Sequence, residues 1–202
     1  MWTMRAMASE SGTSVGDIQH GQLSDGDMSL VFNAADDLSR MPVYLDDATK
    51  ISPEIIRAKV RQLKRRVDIQ VVAVDYLTLM QPPGGRKYGS QEERIGATSQ
   101  ALAAIAKELD VALILAVQLN RECEKRPDKK PIKSDIRDSG SVEQDAYQII
   151  FVHRDSVYDP EKPAEFADII VAKHKNGACG SVKMRWHGPS CSFHDLPKAS
   201  GW

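Results

Sequence analysis

VVAVDYLTLM at positions 71–80 and VALILAV at positions 111–117 are the two stretches that decide the fold. Both are short, almost continuously apolar and rich in β-branched residues, which is typical of strands buried in a parallel sheet. Between them, Ser90 and Glu93 form the S-x-x-E pattern that begins a helix, and apolar residues then recur at helical spacing. A strand, a helix and a second strand joined by so long a connection predict a parallel βαβ unit.

The segments on either side continue an α/β pattern. Residues 1–40 are predicted to form short helices, and MPVYL at 41–45 is predicted to form a short strand. Ser52 and Pro53 suit the N-cap and the first position of a further helix. Short connections favour antiparallel pairing among the later strands, which are predicted at 148–152, 167–172 and 181–186.

Size and composition favour one globular domain in the cytoplasm. The 202 residues are 42% hydrophobic and 27% charged, which excludes a disordered chain. Because the formal net charge is −1, any binding of nucleic acid needs a local basic patch. The three cysteines lack the spacing of a zinc site or a disulfide framework, and no apolar run suits a signal peptide or a membrane span.

Polar residues stand at the carboxyl ends of the two central strands, where ligands bind in open α/β sheets. Asp75 is suited to hold Mg²⁺ through water while the metal grips nucleotide phosphates, although it could simply cap a turn. Gln118 follows the next strand and could position an attacking water or sense a γ-phosphate, or merely end the strand. Their matching positions favour a shared site.

Residues 121–140 are predicted to form a long polar loop with seven basic and five acidic residues. Lys129, Lys130 and Lys133 precede SDIRDSG at 134–140, and a second capping box is predicted at Ser141 and Gln144. This combination favours contact with a nucleic-acid backbone rather than with base edges. The alternative is a mobile surface loop, but loops of this length in compact domains are usually functional or disordered.

Lys173 and Lys175 occupy alternating positions just beyond the strand predicted at 167–172, ahead of a glycine-containing turn. Side chains at alternating positions share one face, so the two cations could clamp phosphoryl oxygens. Exposed lysines at a strand end are the alternative interpretation, and these residues alone leave both open.

Taken together and in this order, the motifs resemble the carboxyl-terminal domain of DnaB-type replicative helicases. The motifs are VAVDYLTLM, AVQLNR, DKKPIKSDIRDSGSVEQDA, FVHRDSVY and IIVAKHKNG. The resemblance covers about residues 40–195 and is most specific from Gln118 to Asp145. It implies a RecA-like P-loop NTPase fold with a mostly parallel sheet flanked by helices. Residues 1–40 would be a helical lead-in and residues 41–195 the core of one partial motor domain.

The resemblance also implies an activity. Members of this family are ATP- and Mg²⁺-dependent helicases that form homohexameric rings and translocate 5′ to 3′ along single-stranded DNA. A primase and a helicase loader are expected as partners, in the cytoplasm of a bacterium or of a phage-infected cell. Asp75 matches the Walker B aspartate, Gln118 the phosphate-sensing glutamine, and Lys173 a lysine that reaches the neighbouring subunit's nucleotide. The channel loop is matched by Arg137, Asp138 and Gly140, with Lys129, Lys130 and Lys133 beside it.

Two departures from the family pattern affect the expected activity. Lys175 stands where the family usually has an arginine finger, so the bidentate fork of a guanidinium is lost. No GxxxxGK[ST] pattern occurs in the 202 residues, and the family's catalytic glutamate is also absent. We therefore expect the isolated chain to lack ATPase activity, and a strand beside the Asp75 strand to be missing, which would expose an apolar sheet edge.

Three interpretations remain open from the sequence. The chain is a fragment of a complete helicase, or it is a non-catalytic RecA-like module that binds single-stranded DNA or joins a ring as a passive subunit. A recombinase of the RecA superfamily is the third interpretation, which the specific central block disfavours.

Overall fold

The computed structural model describes residues 1–136 and 140–197. Two compact units are present. The core unit comprises Asp47–Phe151 and Val171–Gly180, and the terminal unit comprises Met1–Asp46, Val152–Ile170 and the described residues from Ser181 onward. The division expected from the sequence, a lead-in before residue 41 and a core after it, stays a prediction.

Three helices begin the terminal unit: α1 (Trp2–Ser11), α2 (Val15–His20) and α3 (Asp25–Arg40). Helix α3 starts at a capping box in which Ser24 and Asp27 each accept a hydrogen bond from the other's backbone amide. Helices α1 and α3 pack against each other, and each contains one buried small side chain, Ala8 and Ala34. Helices predicted for residues 1–40 are therefore present.

The strand predicted at 41–45 is absent, which makes that prediction wrong. This segment has no regular secondary structure, and Val43, Tyr44 and Leu45 are all exposed. The β propensity of a short apolar run depends on a pairing strand and a surface to pack against. Residues 41–45 pair with no strand in the described part of the chain, so their apolar composition alone does not make them a strand.

The core unit contains the predicted βαβ arrangement, preceded by α4 (Pro53–Lys64). Strand β1 (Val71–Val74) is followed by α5 (Gln91–Leu109) and then by β2 (Ala112–Leu115). The two strands pair in parallel, with Val71 opposite Ala112 and Val74 opposite Leu115. The Ser90 hydroxyl accepts a hydrogen bond from the Glu93 amide, as the capping pattern predicted, whereas the Glu93 carboxylate accepts from Gly89 rather than from Ser90.

Helices cover one face of the β1–β2 pair. Val72, Val74, Leu113 and Leu115 point into a core whose buried side chains come mainly from α4 and α5, including Ile56, Val60, Ile95 and Leu102. The opposite face is open, with Val71 55% and Ile114 61% exposed. The expectation of strands buried on both faces is therefore wrong for this chain. The exposed surface is an apolar sheet face, whereas the sequence led us to expect an exposed sheet edge, which stays a prediction. The apolar run also ends early as a strand, because Leu77–Leu79 forms a 3-10 helix.

The chain continues through α6 (Gly140–Asp145) to four strands, β3 (Gln148–His153), β4 (Phe166–His174), β5 (Gly180–His187) and β6 (Ser192–His194). They form one sheet in the order β3–β4–β5–β6, in which β5 and β6 pair antiparallel. Strand β6 was not predicted, and antiparallel pairing among the three strands predicted from the sequence stays a prediction. Helix α6 begins at Gly140, so Ser141 lies inside the helix and the second capping box is wrong. Among the helices of the described ranges, none has the length and apolar character needed to cross a bilayer.

Candidate functional site

The carboxyl ends of β1 and β2 form an open pocket of about 330 Å³, lined by Asp75, Tyr76, Ala116, Val117 and Gln118. The two side chains that the sequence singled out therefore share one pocket. Both Asp75 and Gln118 are exposed to solvent. A carboxylate and an amide at one sheet edge offer oxygen ligands and hydrogen-bond donors to a polar ligand.

Backbone hydrogen bonds extend the strand pairing as far as the pocket. The Ala116 amide donates to the Val74 carbonyl at 3.0 Å, and the Leu77 amide donates to the Ala116 carbonyl at 3.1 Å. These two bonds bracket Asp75 and Tyr76, whose connecting peptide bond is cis. These two backbone hydrogen bonds therefore fix the position of the Asp75 backbone relative to β2.

Arg94 anchors the segment that follows Asp75, a role that sequence reasoning missed. The two terminal nitrogens of its guanidinium donate to the carbonyls of Met80, at 2.8 Å, and Thr78, at 3.2 Å. Helix α5 thereby holds the backbone just downstream of the pocket. The only sequence signal was an arginine in the first turns of a helix, where a cation is unfavourable to the helix dipole and needs another reason to be present.

The pocket suits a hydrated metal ion better than a bare one. Within the described ranges, no group of three or more His, Cys, Asp or Glu side chains is arranged to hold a metal ion. Mg²⁺ commonly retains several waters and takes one or two carboxylates together with substrate phosphates, which is compatible with Asp75 alone. None of the five lining residues is a cation, so phosphate oxygens would have to find positive charge elsewhere.

The two lysines of the β4 end have different surroundings. Lys173 lies inside β4, not beyond it, and its Nζ donates to the carbonyls of Glu143, at 2.5 Å, and Gln144, at 3.1 Å, near the carboxyl end of α6. The side chain of Lys175 is exposed, while its backbone amide donates to the Tyr147 carbonyl at 3.0 Å. Neither lysine lines the pocket of Asp75 and Gln118.

The polar loop after β2 has local secondary structure and is not a long unstructured connection. It contains the 3-10 helices Arg121–Lys125 and Lys133–Asp135, and it is closed at its base by an antiparallel bridge between Leu119 and Ile136. Asp135 is buried and forms an ion pair with Arg126. The Arg126 guanidinium, through its hydrogen bonds, holds the pKa of the Asp135 carboxyl below its usual range.

The predicted DNA-contacting residues are distributed along and beside this loop. Lys129 and Lys130 are half-buried, and Lys133 is 45% exposed with its Nζ 2.9 Å from Glu143 Oε1. Gly140 is exposed at the start of α6. Arg137 and Asp138 lie outside the described residues. The assignment of these residues to DNA contact stays a prediction.

Sequence comparison identifies the family. The family model of the DnaB-like helicase C terminal domain matches residues 1–195. The chain belongs to the DnaB-like helicase C-terminal domain family. This confirms the resemblance inferred from the central motifs, and the match also includes residues 1–40, the predicted helical lead-in.

Curated relatives of this DnaB-like domain are replicative helicases. Replicative DNA helicase DnaB of Leifsonia xyli subsp. xyli (strain CTCB07) is 38% identical over 194 residues, which cover 96% of this chain and 42% of the relative. The protein of the same name from Mycobacterium leprae (strain TN) is 37% identical over 182 residues, covering 90% and 30%. The DnaB-like domain described here therefore spans less than half the length of these relatives.

Solved structures share the fold of this DnaB-like domain. A structure described as that of a DnaB-like replicative helicase and its interactions with primase aligns with a TM-score of 0.91 at 31% identity, covering 96% of this chain and 48% of that one. A second solved structure, described as an ATPase domain, aligns with the same TM-score and identity, covering 96% and 70%. The α/β fold predicted from the sequence is confirmed as that of a helicase ATPase domain.

Proposed function

We propose that this chain is part of the motor of an ATP-dependent replicative DNA helicase, which unwinds duplex DNA by 5′-to-3′ translocation along single-stranded DNA. The observation that carries the proposal is the pocket in which Asp75 and Gln118 meet at the ends of two parallel strands. Nucleotide-dependent motors need a metal-positioning carboxylate beside a group that responds to the γ-phosphate, and these two side chains have those chemical properties.

The proposed roles follow from the chemistry of each side chain. Asp75 holds Mg²⁺ through water, and Gln118 senses the γ-phosphate of ATP or orients the attacking water. Lys175 is exposed and available to a nucleotide on a neighbouring subunit. Lys173 is assigned to the same subunit boundary, where its Nζ already donates to the carbonyls of Glu143 and Gln144.

The loop after β2 is proposed to contact DNA, and the working protein is proposed to be an oligomer. Single-stranded DNA contacts the loop after β2 through phosphates, with contributions from Lys129, Lys130, Lys133, Arg137, Asp138 and Gly140. The working form is a homohexamer in the cytoplasm, with primase and a helicase loader as partners. Primase is supported by one structural neighbour, whose description names it.

ATP turnover by the isolated chain is not expected. The 202 residues contain no GxxxxGK[ST] pattern, and the pocket lining contains no cation to hold the β- and γ-phosphates. That missing cation is also the observation that favours the alternative function, a non-catalytic ring subunit or DNA-binding module. DNA-stimulated hydrolysis by the pure chain above background would contradict this part of the proposal.

Binding of Mg²⁺-ATP at the pocket is tested by amide chemical-shift titration of the isotope-labelled chain. We expect the amides of Tyr76 and Gln118 to shift, and Asp75→Asn to weaken the binding. The matched control is Asp68→Asn, since Asp68 is an exposed carboxylate just before the opposite end of β1. Equal binding by the two variants, or shifts confined to other regions, would rule out Asp75 as the metal-positioning residue.

Contact between the loop and DNA is tested by the salt dependence of binding to oligo-dT. Replacing Lys129, Lys130 and Lys133 with alanine should make the dependence shallower, by roughly 0.7 in log–log slope for each single-strand phosphate that is no longer neutralised. The control variant replaces Lys50, Lys87 and Lys107, three exposed lysines outside the loop, and makes the same change in charge. Equal slopes for the two triple variants would show that the loop does not contact DNA.

A further inference from the structure

One ion pair organises the loop after β2. Arg126 Nη1 donates to Asp135 Oδ1 at 2.9 Å, and Arg126 Nη2 donates to Asp135 Oδ2, so the guanidinium and the carboxylate meet in the two-pronged geometry. Only 3% of the Asp135 side chain is exposed, against 30% for Arg126. Such a pair has a defined orientation as well as a charge interaction, because both groups are planar.

Both partners also bind the loop backbone. The Asp135 carboxylate accepts from the Ile132 amide at 2.8 Å, and Arg126 Nη2 donates to the Lys130 carbonyl at 2.6 Å. The Asp135 carbonyl accepts from the Asn120 amide at 2.7 Å, which ties the loop's far end to the end of β2. The Arg126–Asp135 pair therefore sets the backbone between residues 126 and 135.

The three lysines assigned to DNA contact lie on this stretch of backbone. Lys129 and Lys130 fall between the two partners of the pair, and Lys133 precedes Asp135 by two residues. The Lys129 backbone has a φ of +48°, an uncommon conformation for a lysine that the surrounding bonds must maintain. The spatial arrangement of the lysines thus depends on an ion pair whose carboxylate is buried and whose guanidinium is mostly buried.

We propose that Arg126 and Asp135 are positioning residues for DNA binding, which hold the lysines of the loop in the arrangement that meets successive phosphates. This rests on the proposed function of the loop. A loop that is ordered before binding loses less conformational freedom when DNA arrives, so the pair raises affinity. The number of phosphates contacted is set by the lysines, so the pair leaves the salt slope unchanged.

The test compares two variants that neutralise one carboxylate in the same loop. Asp135→Asn puts an amide N–H₂ opposite one prong of the guanidinium, whereas Glu122→Gln alters an exposed carboxylate that forms an ion pair with exposed Lys125. Both changes add one unit of positive charge, which on its own would strengthen binding to oligo-dT. We expect Asp135→Asn to weaken binding about three- to tenfold relative to Glu122→Gln, with parallel salt dependences.

A second variant keeps the test informative if Asp135→Asn folds poorly. Arg126→Lys preserves the charge and loses the two-pronged geometry. It should therefore weaken binding to oligo-dT, as Asp135→Asn does, and leave the slope of the salt dependence unchanged. Amide hydrogen exchange gives a readout without DNA, in which the Asn120 and Ile132 amides should exchange faster in both variants than in Glu122→Gln.

The outcomes separate this proposal from the one on which it rests. Affinities of Asp135→Asn and Arg126→Lys equal to that of Glu122→Gln would overturn the positioning role. A shallower slope in Arg126→Lys would also overturn it, because the arginine would then bind a phosphate itself. The alanine triple variant at Lys129, Lys130 and Lys133 tests whether the loop binds DNA, independently of how the pair behaves.

Discussion

Lys173 and Lys175 are two positions apart in the chain, yet their surroundings differ. The ammonium group of Lys173 satisfies two carbonyls near the carboxyl end of α6, where a cation is also favoured by the helix dipole. The side chain of Lys175 is exposed. Sequence alternation predicted that both point to one face, but it could not reveal that a helix terminus would lie within reach of one of them.

We predict that Lys173→Met lowers the free energy of unfolding by about 1 kcal/mol, because two carbonyls lose a charged donor. Lys175→Met is the matched control and should change stability by less than about 0.5 kcal/mol. Urea denaturation followed by circular dichroism measures both values. Equal effects would mean that the Lys173 contacts with α6 do not contribute to stability.

The acid sensitivity of Asp135 can be predicted from its lowered pKa, which the hydrogen bonds from Arg126 chiefly cause. A carboxyl whose pKa is lowered on folding stabilises the native state above its unfolded pKa, which is about 3.9 for aspartate. The stability advantage over Asp135→Asn should therefore be constant from about pH 7 to pH 5 and should shrink below about pH 4. An advantage that persists unchanged at pH 3, measured by urea denaturation, would contradict the cause given for the pKa.

At the scale of elements, the helices were predictable to a greater extent than the strands. Both the start and the inner face of helix α5 could be predicted, since Ser90 caps it and Ile95 and Leu102 are buried at helical spacing. The run at 71–80 was predicted as one strand, but pairing ends at Val74. Apolar composition is shared by strands and by the 3-10 helix that follows, in which Leu77 is buried, so the partner strand determines where β1 ends.

Contact between α5 and α6 depends on Gly96, and we predict the effect of adding one methyl group there. A Cβ on Gly96 would lie 2.5 Å from Ser141 Oγ and 3.2 Å from Ser141 Cβ. Overpacking costs about 1–3 kcal/mol, whereas replacing a helical glycine with alanine gains about 0.5–1 kcal/mol. Gly96→Ala should therefore lower the free energy of unfolding by roughly 1 kcal/mol.

The second substitution Ser141→Ala removes the nearest atom and supplies the control. In that background, Gly96→Ala should cost less than about 0.5 kcal/mol, because the crowding is largely relieved. A double-mutant cycle by thermal or urea denaturation measures the coupling. If the two substitutions were additive, the close approach of α5 and α6 at this point would not be the cause.

For the whole molecule, the central motifs were sufficient to predict the family, the α/β fold and the meeting of Asp75 with Gln118. Parallel pairing made the last prediction possible, since it brings the carboxyl ends of β1 and β2 to one edge. The exposed sheet face that contains Val71 and Ile114 contradicts the prediction that β1 and β2 are buried on both faces. Apolar composition indicates that a surface favours burial, but it does not indicate whether another element covers that surface.

The loop after β2 shows a second limit of prediction from the sequence. Its charge and length indicated a nucleic-acid contact, but nothing in the pattern distinguished Arg126 from the other basic residues nearby. The partner Asp135 is nine residues away, and pairing at that separation depends on how the intervening backbone folds. Roles that arise from local spacing were predictable, whereas those that arise from loop conformation needed the structure.

In the proposed nucleotide site, Asp75 and Gln118 face one metal-bound nucleotide. Paramagnetic Mn²⁺ in place of Mg²⁺ tests it most directly, because amide signals near the ion broaden and distant ones do not. With ATP present, we predict preferential broadening at Tyr76 and Gln118, and its loss in Asp75→Asn but not in Asp68→Asn. Broadening that needs no ATP, persists in Asp75→Asn or leaves Gln118 sharp would contradict a shared nucleotide site.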